Sequence, residues 1–342
     1  MNGRHTWRFF TALMLALGTL TGCRLDGDGP LLPAPKPLPP GFPEMPVPVD
    51  NQPTAARIAL GKQLFYDPIL SSDSTISCGS CHFQEKAFAD YQQFSEGVQG
   101  RIGFRNAPAL FNLAWHPYFF MDGGVPTLEQ QVLAPIEAHV EMNSDMLSLL
   151  ERLSNHDTYP DKFRVAYGRN PDPFSLTRAI AAFERTLISG TSRYDAFSNG
   201  TDPQALSAAE IRGMNLFFSD SLHCGTCHSG FDFTNYEFAN VGLPVTTPDS
   251  GRMRVTLNEA DRNKYKTPSL RNIALTAPYM HDGSIQTLDE LVNVLASGGT
   301  GEASQSPLTL GFTISPSEKQ DLIAFLNALT DEAFVSDPAF EK

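Results

Sequence analysis

Apolar positions fall into three patterns along this chain. The first is continuous: residues 9–20 (FFTALMLALGTL) form an apolar run of about a dozen residues, too short to span a bilayer comfortably. The second has no period. Nine prolines lie between Pro30 and Pro48, and so much proline favours a semi-extended polyproline spacer over a packed element. The third is helical. Leu176, Ile180, Phe183 and Leu187 recur at helical spacing over residues 175–188. Further helices are predicted over 55–65, 208–218 and 316–329, the last opened by Pro316-Ser317-Glu318. Thr127 and Thr287 are natural N-caps, each with acid in the following turn. Strand signals are few, which predicts a mainly α fold.

The pattern also repeats. Gly61-Lys-Gln-Leu-Phe65 has a counterpart in Gly213-Met-Asn-Leu-Phe217. Residues 106–132 align without a gap to 266–292. Pro108 matches Pro268, Asn112 matches Asn272, Asp122-Gly123 matches Asp282-Gly283, and Thr127-Leu128 matches Thr287-Leu288. Duplication on this scale predicts two similar domains, here placed at residues 53–195 and 196–342 after a leader (1–22) and a Pro-rich linker (23–52).

Composition narrows the function. An apolar content of 41% is ordinary for a globular chain and excludes global disorder. The formal charge of −13 argues against a general nucleic-acid partner. Removing residues 1–22 takes away Arg4 and Arg8 and no acid, leaving 23 − 38 = −15. That leader is a positive n-region, an apolar run and Leu20-Thr21-Gly22-Cys23, which resembles a bacterial lipobox with Cys23 as the acylated residue. The alternative is an ordinary signal peptide with a cysteine by chance. A lipid would hold the protein at the periplasmic side of a membrane without a spanning helix, and the spacer would lift the body off that surface.

The other four cysteines occur as Cys78-Gly-Ser-Cys81-His82 and Cys224-Gly-Thr-Cys227-His228. Each is a C-x-x-C-H, the signature of covalent c-type haem attachment. Two thiols add across two vinyl groups, and the adjacent His becomes the proximal iron ligand. A single motif would also suit a redox dithiol or half a zinc site. Two of them, in an exported chain with no cysteine left over, point to two covalent haems with His82 and His228 beneath the irons.

The two C-x-x-C-H motifs, the duplicated Asp-Gly blocks and Arg105-Asn106-Ala-Pro108 resemble the bacterial dihaem cytochrome c peroxidase/MauG superfamily, over roughly residues 53–335. The resemblance implies two cytochrome c-like domains with long haem-covering loops. Its most specific stretch runs from Leu128-Glu-Gln-Gln131 through Ala134-Pro135-Ile136 to Val140-Glu141-Met142. It implies that Gln131 and Glu141 stand over the open face of the first haem as catalytic groups, with Pro135 nearby. It also implies that His281 lies beside the second haem without binding iron, and that one calcium ion is held by Asn106 and the backbone oxygens of Thr276 and Pro278. Periodicity alone would read Glu141 as a helix-end acid in water, Gln131 as a surface amide and Asn106 as a turn cap. The chemistry favours the resemblance. A carboxylate raised in pKa by burial can move a proton between the oxygens of a peroxide, and a neutral amide can orient them.

The departures from the family matter as much. Peroxidases that need reductive activation place a displaceable His where this chain has Val98, and no His lies between His82 and Arg105. The position that supplies a Met or Tyr ligand to the second haem falls at or near Leu295, leaving Met280 or Met253, or an open iron. The inter-haem Trp of MauG aligns with Met121. Trp115, the one Trp beyond the leader, reads as a core residue, and Phe119, Phe120 or Tyr279 remain as other inter-haem routes. His116 is the rival distal ligand, in a turn better placed to pack between the domains. The expected function is a MauG-like enzyme that reacts with hydrogen peroxide at an open first haem and oxidises a secreted protein. The alternatives are a cytochrome c peroxidase fed by a small redox protein, or a non-enzymatic dihaem carrier.

Overall fold

The computed structural model describes residues 37–244 and 248–342. The leader and Cys23 lie outside the described residues. Thirteen helices carry the chain among them. In order they are α1 (Ala55–Tyr66), α2 (Leu128–Gln131), α3 (Leu133–Glu137), α4 (Met146–Ser154), α5 (Tyr159–Tyr167), α6 (Pro173–Glu184) and α7 (Arg193–Ser198). Then come α8 (Ala208–Phe217), α9 (Cys224–Cys227), α10 (Met253–Thr256), α11 (Leu288–Ser297), α12 (Pro316–Asn327) and α13 (Glu332–Val335). The one sheet among them is an antiparallel pair, β1 (Phe238–Ala239) with β2 (Tyr265–Lys266), in which Phe238 faces Lys266. The fold is mainly α and of cytochrome c type. No helix among the described residues is long and apolar enough to cross a membrane.

Two hydrophobic clusters form, one around each C-x-x-C-H. The first gathers Leu64, Phe65, Phe88, Phe163, Ile180 and Phe183. The second gathers Phe217, Phe233, Leu291, Phe325 and Leu326. Their scaffolds are alike because the duplicated glycines make them so. A methyl group at Gly61 would run into the carbonyl of Ala179, and one at Gly213 into the carbonyl of Asp321. These two positions let α1 cross α6, and α8 cross α12, backbone against backbone. The aligned Asn112 and Asn272 both take positive φ and are fully buried. Both reach one hub: Asn112 exchanges hydrogen bonds with Ser189, while Asn272 bonds the Ser189 hydroxyl and accepts from the Asp331 amide.

Several boundaries move for physical reasons. The helix expected over 175–188 begins at Pro173, because Asp172 caps it with a reciprocal Ser175 bond, and ends at Glu184. Thr127 and Thr287 cap as expected, onto Gln130 and Glu290. The elements they open differ, however. α11 runs unbroken for ten residues, whereas its counterpart splits into α2 and α3. Pro135 has no amide hydrogen to give the carbonyl of Gln131.

Two expectations about chain ends need correction. Residues 37–52 do not stand off as a spacer. Phe42 packs edge-on against Trp115 and Phe231, Asp50 pairs with Arg178, and the buried Asn51 donates to Glu129. Proline restricts this segment to an extended path, but an extended path can still lie on a surface. The last dozen residues do not stay with the second half. Phe334 and Phe340 join the first cluster, and the Phe340 carbonyl accepts from Tyr66.

Candidate active site

In the first half, Cys78 opens a single 3-10 turn that ends at Cys81. The chain then doubles back, so that Phe83 bridges Ala89 and the Phe88 carbonyl lies 2.7 Å from His82 Nδ1. A carbonyl only accepts, so Nδ1 carries the hydrogen and Nε2 keeps its lone pair for a metal. The second half repeats this device, with His228 Nδ1 3.2 Å from the Phe233 carbonyl. Burial holds both imidazoles below their ordinary pKa, His228 at about 4, and so keeps them neutral as ligands must be.

The thiols fit haem attachment better than the alternatives. Burial pushes all four above the usual range, Cys81 and Cys224 to about 11. A redox dithiol needs the opposite, a stabilised thiolate. No group of three or more His, Cys, Asp or Glu that could hold a metal forms among the described residues. Instead Cys224, Cys227 and His228 open onto a cavity of about 410 Å³. Its apolar wall includes Leu291, Val292, Leu295, Phe312, Leu322 and Leu326. That is the setting of a flat apolar cofactor fixed through one edge, and it fits haem c.

The cavity reaches between the two halves. Gln131, at the end of α2, lines it, as do Asn106, Thr276, Pro278, Met280 and His281. The His281 ring stacks on Tyr265 at 3.9 Å. The Asn106 amide nitrogen donates to the carbonyls of Gln92 and Gln93, which leaves the amide oxygen available. Met121, Phe119 and Phe120 also reach the cavity. Trp115 does not line it; it packs against Phe42 and Phe231. Met253 begins α10 and does not line it either.

Glu141 sits on the turn after α3, where its amide bonds the Ala138 carbonyl and its own carbonyl accepts from Val98 at 2.8 Å. A side chain at Gly97 would strike the Val140 and Glu141 backbone. Val98 itself is fully buried. Glu141 is exposed at the protein surface, with protein crowded around the rest of its carboxyl. That partial burial pushes its carboxyl above the ordinary carboxylate range. Pro135 helps to shape the turn, since its carbonyl accepts from the Met142 amide.

Some charged groups of the site are not evident from the repeats or motifs. Lys266 Nζ lies 3.1 Å from His116 Nδ1 and 2.8 Å from the Tyr118 carbonyl. His116 Nε2 points to Asp232 at 3.5 Å, too long for a hydrogen bond, and so lacks a partner. With both ring nitrogens turned to these neighbours, His116 packs between the halves. Glu184 is buried beside the first motif with one carboxyl oxygen unpartnered. Lys266 could have been singled out as a cation at the head of an apolar duplicated block, and Glu184 as an acid at the end of an apolar helical stripe.

Comparison with known proteins agrees with this geometry. Residues 55–203 match the family model described as di-haem cytochrome c peroxidase. The chain is 36% identical to cytochrome-c peroxidase IdrP1 of Pseudomonas sp. strain SCT, over 91% of this chain and 88% of that one. It is 36% identical to the methylamine utilization protein MauG of Methylorubrum extorquens, over 84% and 82%. A crystal structure of a MauG-like protein associated with microbial copper homeostasis superposes with a TM-score of 0.83 at 34% identity, covering 89% of this chain and 97% of that one. Duplicated haem motifs, neutral buried imidazoles and likeness over nearly the whole chain converge: this protein belongs to the dihaem cytochrome c peroxidase/MauG family of oxidoreductases.

Proposed function

We propose that this enzyme reacts with hydrogen peroxide in its first half (residues 53–195) and uses the oxidising equivalents, by way of its second half, to oxidise a partner protein. Haem c, when bound, would supply the redox chemistry: two electrons pass to peroxide, which is reduced to water, and are replaced one at a time by the partner. Cys78 and Cys81 fix one haem and Cys224 and Cys227 the other, with His82 and His228 offering Nε2. Glu141 takes a proton from one peroxide oxygen and returns it to the other, a task suited to a carboxyl raised by burial. The Gln131 amide holds the oxygens in place. The observation that carries this reading is the closed 97–98 loop. It presents buried Val98, bonded to the Glu141 carbonyl, where reductively activated peroxidases carry a ligating His. With no His there to displace, a haem held by Cys78, Cys81 and His82 would be open to peroxide at rest.

Stopped-flow mixing of the ferric protein with peroxide tests this. The native chain should react before any reduction, with a high-spin EPR signal from one haem. Glu141→Gln should keep both haems and react about 100-fold more slowly or worse. Two low-spin signals with no reaction until an electron is added, or unchanged kinetics in the variant, would overturn the assignment.

The substrate class follows from charge and kinship. A mature charge of −15 suits a basic secreted protein, and one similar protein is tied to copper homeostasis by its description. Export with lipid attachment at Cys23 rests on the lipobox sequence alone. A calcium ion bound by Asn106, Thr276 and Pro278 would use oxygen ligands on one cavity wall. Chelation should then lower the melting temperature, and added calcium should restore it; a melting curve indifferent to both would remove the ion.

A further inference from the structure

The cavity wall holds a cation whose charge no carboxylate meets. Lys266 is on β2, and its backbone amide is bonded to the Met121 carbonyl of the other half. An ammonium has three hydrogens. Two are placed, one on the Tyr118 carbonyl and one on His116 Nδ1. Both acceptors are neutral. Among the described residues no carboxylate lies within ion-pair distance of Lys266, although Asp232 approaches the far side of the His116 ring. The other basic side chain on this wall, Arg271, is committed: it makes a bidentate pair with Asp195 and also bonds the Phe231 carbonyl. Burial pulls Lys266 down to about 8, as it does for an ammonium whose charge is incompletely matched. Cys224, Cys227 and His228 open onto the same cavity.

A haem held through Cys224 and Cys227 brings two propionates into this space. A carboxylate taken out of water needs a cation or several donors. We propose that Lys266, braced by His116 and the Tyr118 carbonyl, anchors a propionate of the haem bound in the second half and keeps it ionised. This rests on the two-haem reading above. Lys266 is a positioning residue here. It touches the edge of the cofactor and sets the local charge, and it takes no part in peroxide cleavage. His116 accepts the lysine's hydrogen on Nδ1, which orients the ammonium and leaves its third hydrogen for the cavity.

Potentiometric titration of the holoprotein, followed optically for each haem between about pH 5 and 8, tests the anchor. Groups that face the site and could titrate as well are His116 and Tyr118 from the first half, and Asp232, Tyr236, Tyr265, Arg271 and His281 from the second. Replacing one element at a time is therefore essential. With Lys266 present, the propionate stays ionised and both potentials should be nearly flat. In Lys266→Met, one potential should fall with rising pH as the freed propionate titrates. The slope should approach a tenfold change in the reduction equilibrium per pH unit, about 59 mV. Lys266→Arg should restore the flat profile, and His116→Gln, which keeps an acceptor, should leave it flat.

A Lys266→Met chain that carries two haems with native potentials and profile would overturn the anchor and leave the two-haem reading standing. So would a Lys266→Arg chain that behaves like Lys266→Met. A native chain without haem would overturn both. Should Lys266→Met fail to take up haem, the native protein decides, through infrared redox difference spectra with ¹³C-labelled haem carboxylates. One propionate should remain ionised well below the value of about 4.3 at which a free carboxylate titrates; titration of both at or above that value would end the proposal.

Discussion

Glu184 shows how one side chain can tie stability to pH. It closes α6, lies buried, and leaves one oxygen without a partner. Burial pushes its carboxyl from an ordinary 4.5 to about 8, against the pull of Arg185, which is itself held by Glu129. A folded-state pKa raised this far means the folded chain binds a proton that the unfolded chain has released. The contribution is fully present below about pH 4.5 and is lost as pH rises towards 8. Glu184→Met should therefore flatten that part of the stability curve and leave the variant more stable than the native protein at pH 8. Urea denaturation at pH 5, 6.5 and 8 would show it; parallel curves for the two proteins would mean that Glu184 stays charged in the fold. Glu141 is raised by the same cause but opens to one side, which separates an acid able to exchange protons from one that is shut in.

Elements that descend from one repeat have diverged where the chemistry differs. α11 is a plain capped helix with Leu291, Val292 and Leu295 turned into the cavity. Its counterpart is cut by Pro135. The break ends α2 at Gln131 and lets the chain turn back so that Glu141 meets the 97–98 loop. Pro135→Ala should allow α2 and α3 to fuse. Both haems should stay attached, but on the proposed roles of Gln131 and Glu141 the reaction with peroxide should slow by at least tenfold as the turn that places Glu141 is lost. Unaltered kinetics would show that the break is incidental to catalysis.

For the molecule as a whole, the two halves are held by more than one kind of contact. Arg105 bridges Asp122 of its own half to Asp249 of the other, while Arg254 reaches back to Asp122. The Pro-rich segment adds an apolar pin, with Phe42 between Trp115 and Phe231 and Arg271 over its ring. Pro39 and Phe42 lie so close to Gly190 that a side chain there would displace them. Phe42 is half-buried, and Phe42→Ala should cost about 2 kcal/mol and lower the melting temperature by several degrees. Calorimetry of the holoprotein checks this; an unchanged transition would mean that the segment rests on the surface without contributing to it.

The duplication, the two C-x-x-C-H motifs and the main helices were all legible in the sequence, because each depends on local signals. Cysteine spacing fixes a thioether edge, Thr and Ser cap the turn that follows them, and Gly61 and Gly213 recur where two backbones must touch. The proposed pairing of Gln131 with Glu141 needed a family pattern, since nine intervening residues and a proline break the period that would relate them. Only the tertiary structure decided the rest. Proline content shows that residues 37–52 are extended, but not that Phe42 finds a slot made by residues far along the chain. Composition assigns Lys266 a charge, but not a wall of the cavity where that charge has two neutral acceptors and no carboxylate within ion-pair reach. Burial and the partners it brings are properties of the packed chain, and they turn an ordinary Glu or Lys into a group whose proton matters near neutral pH.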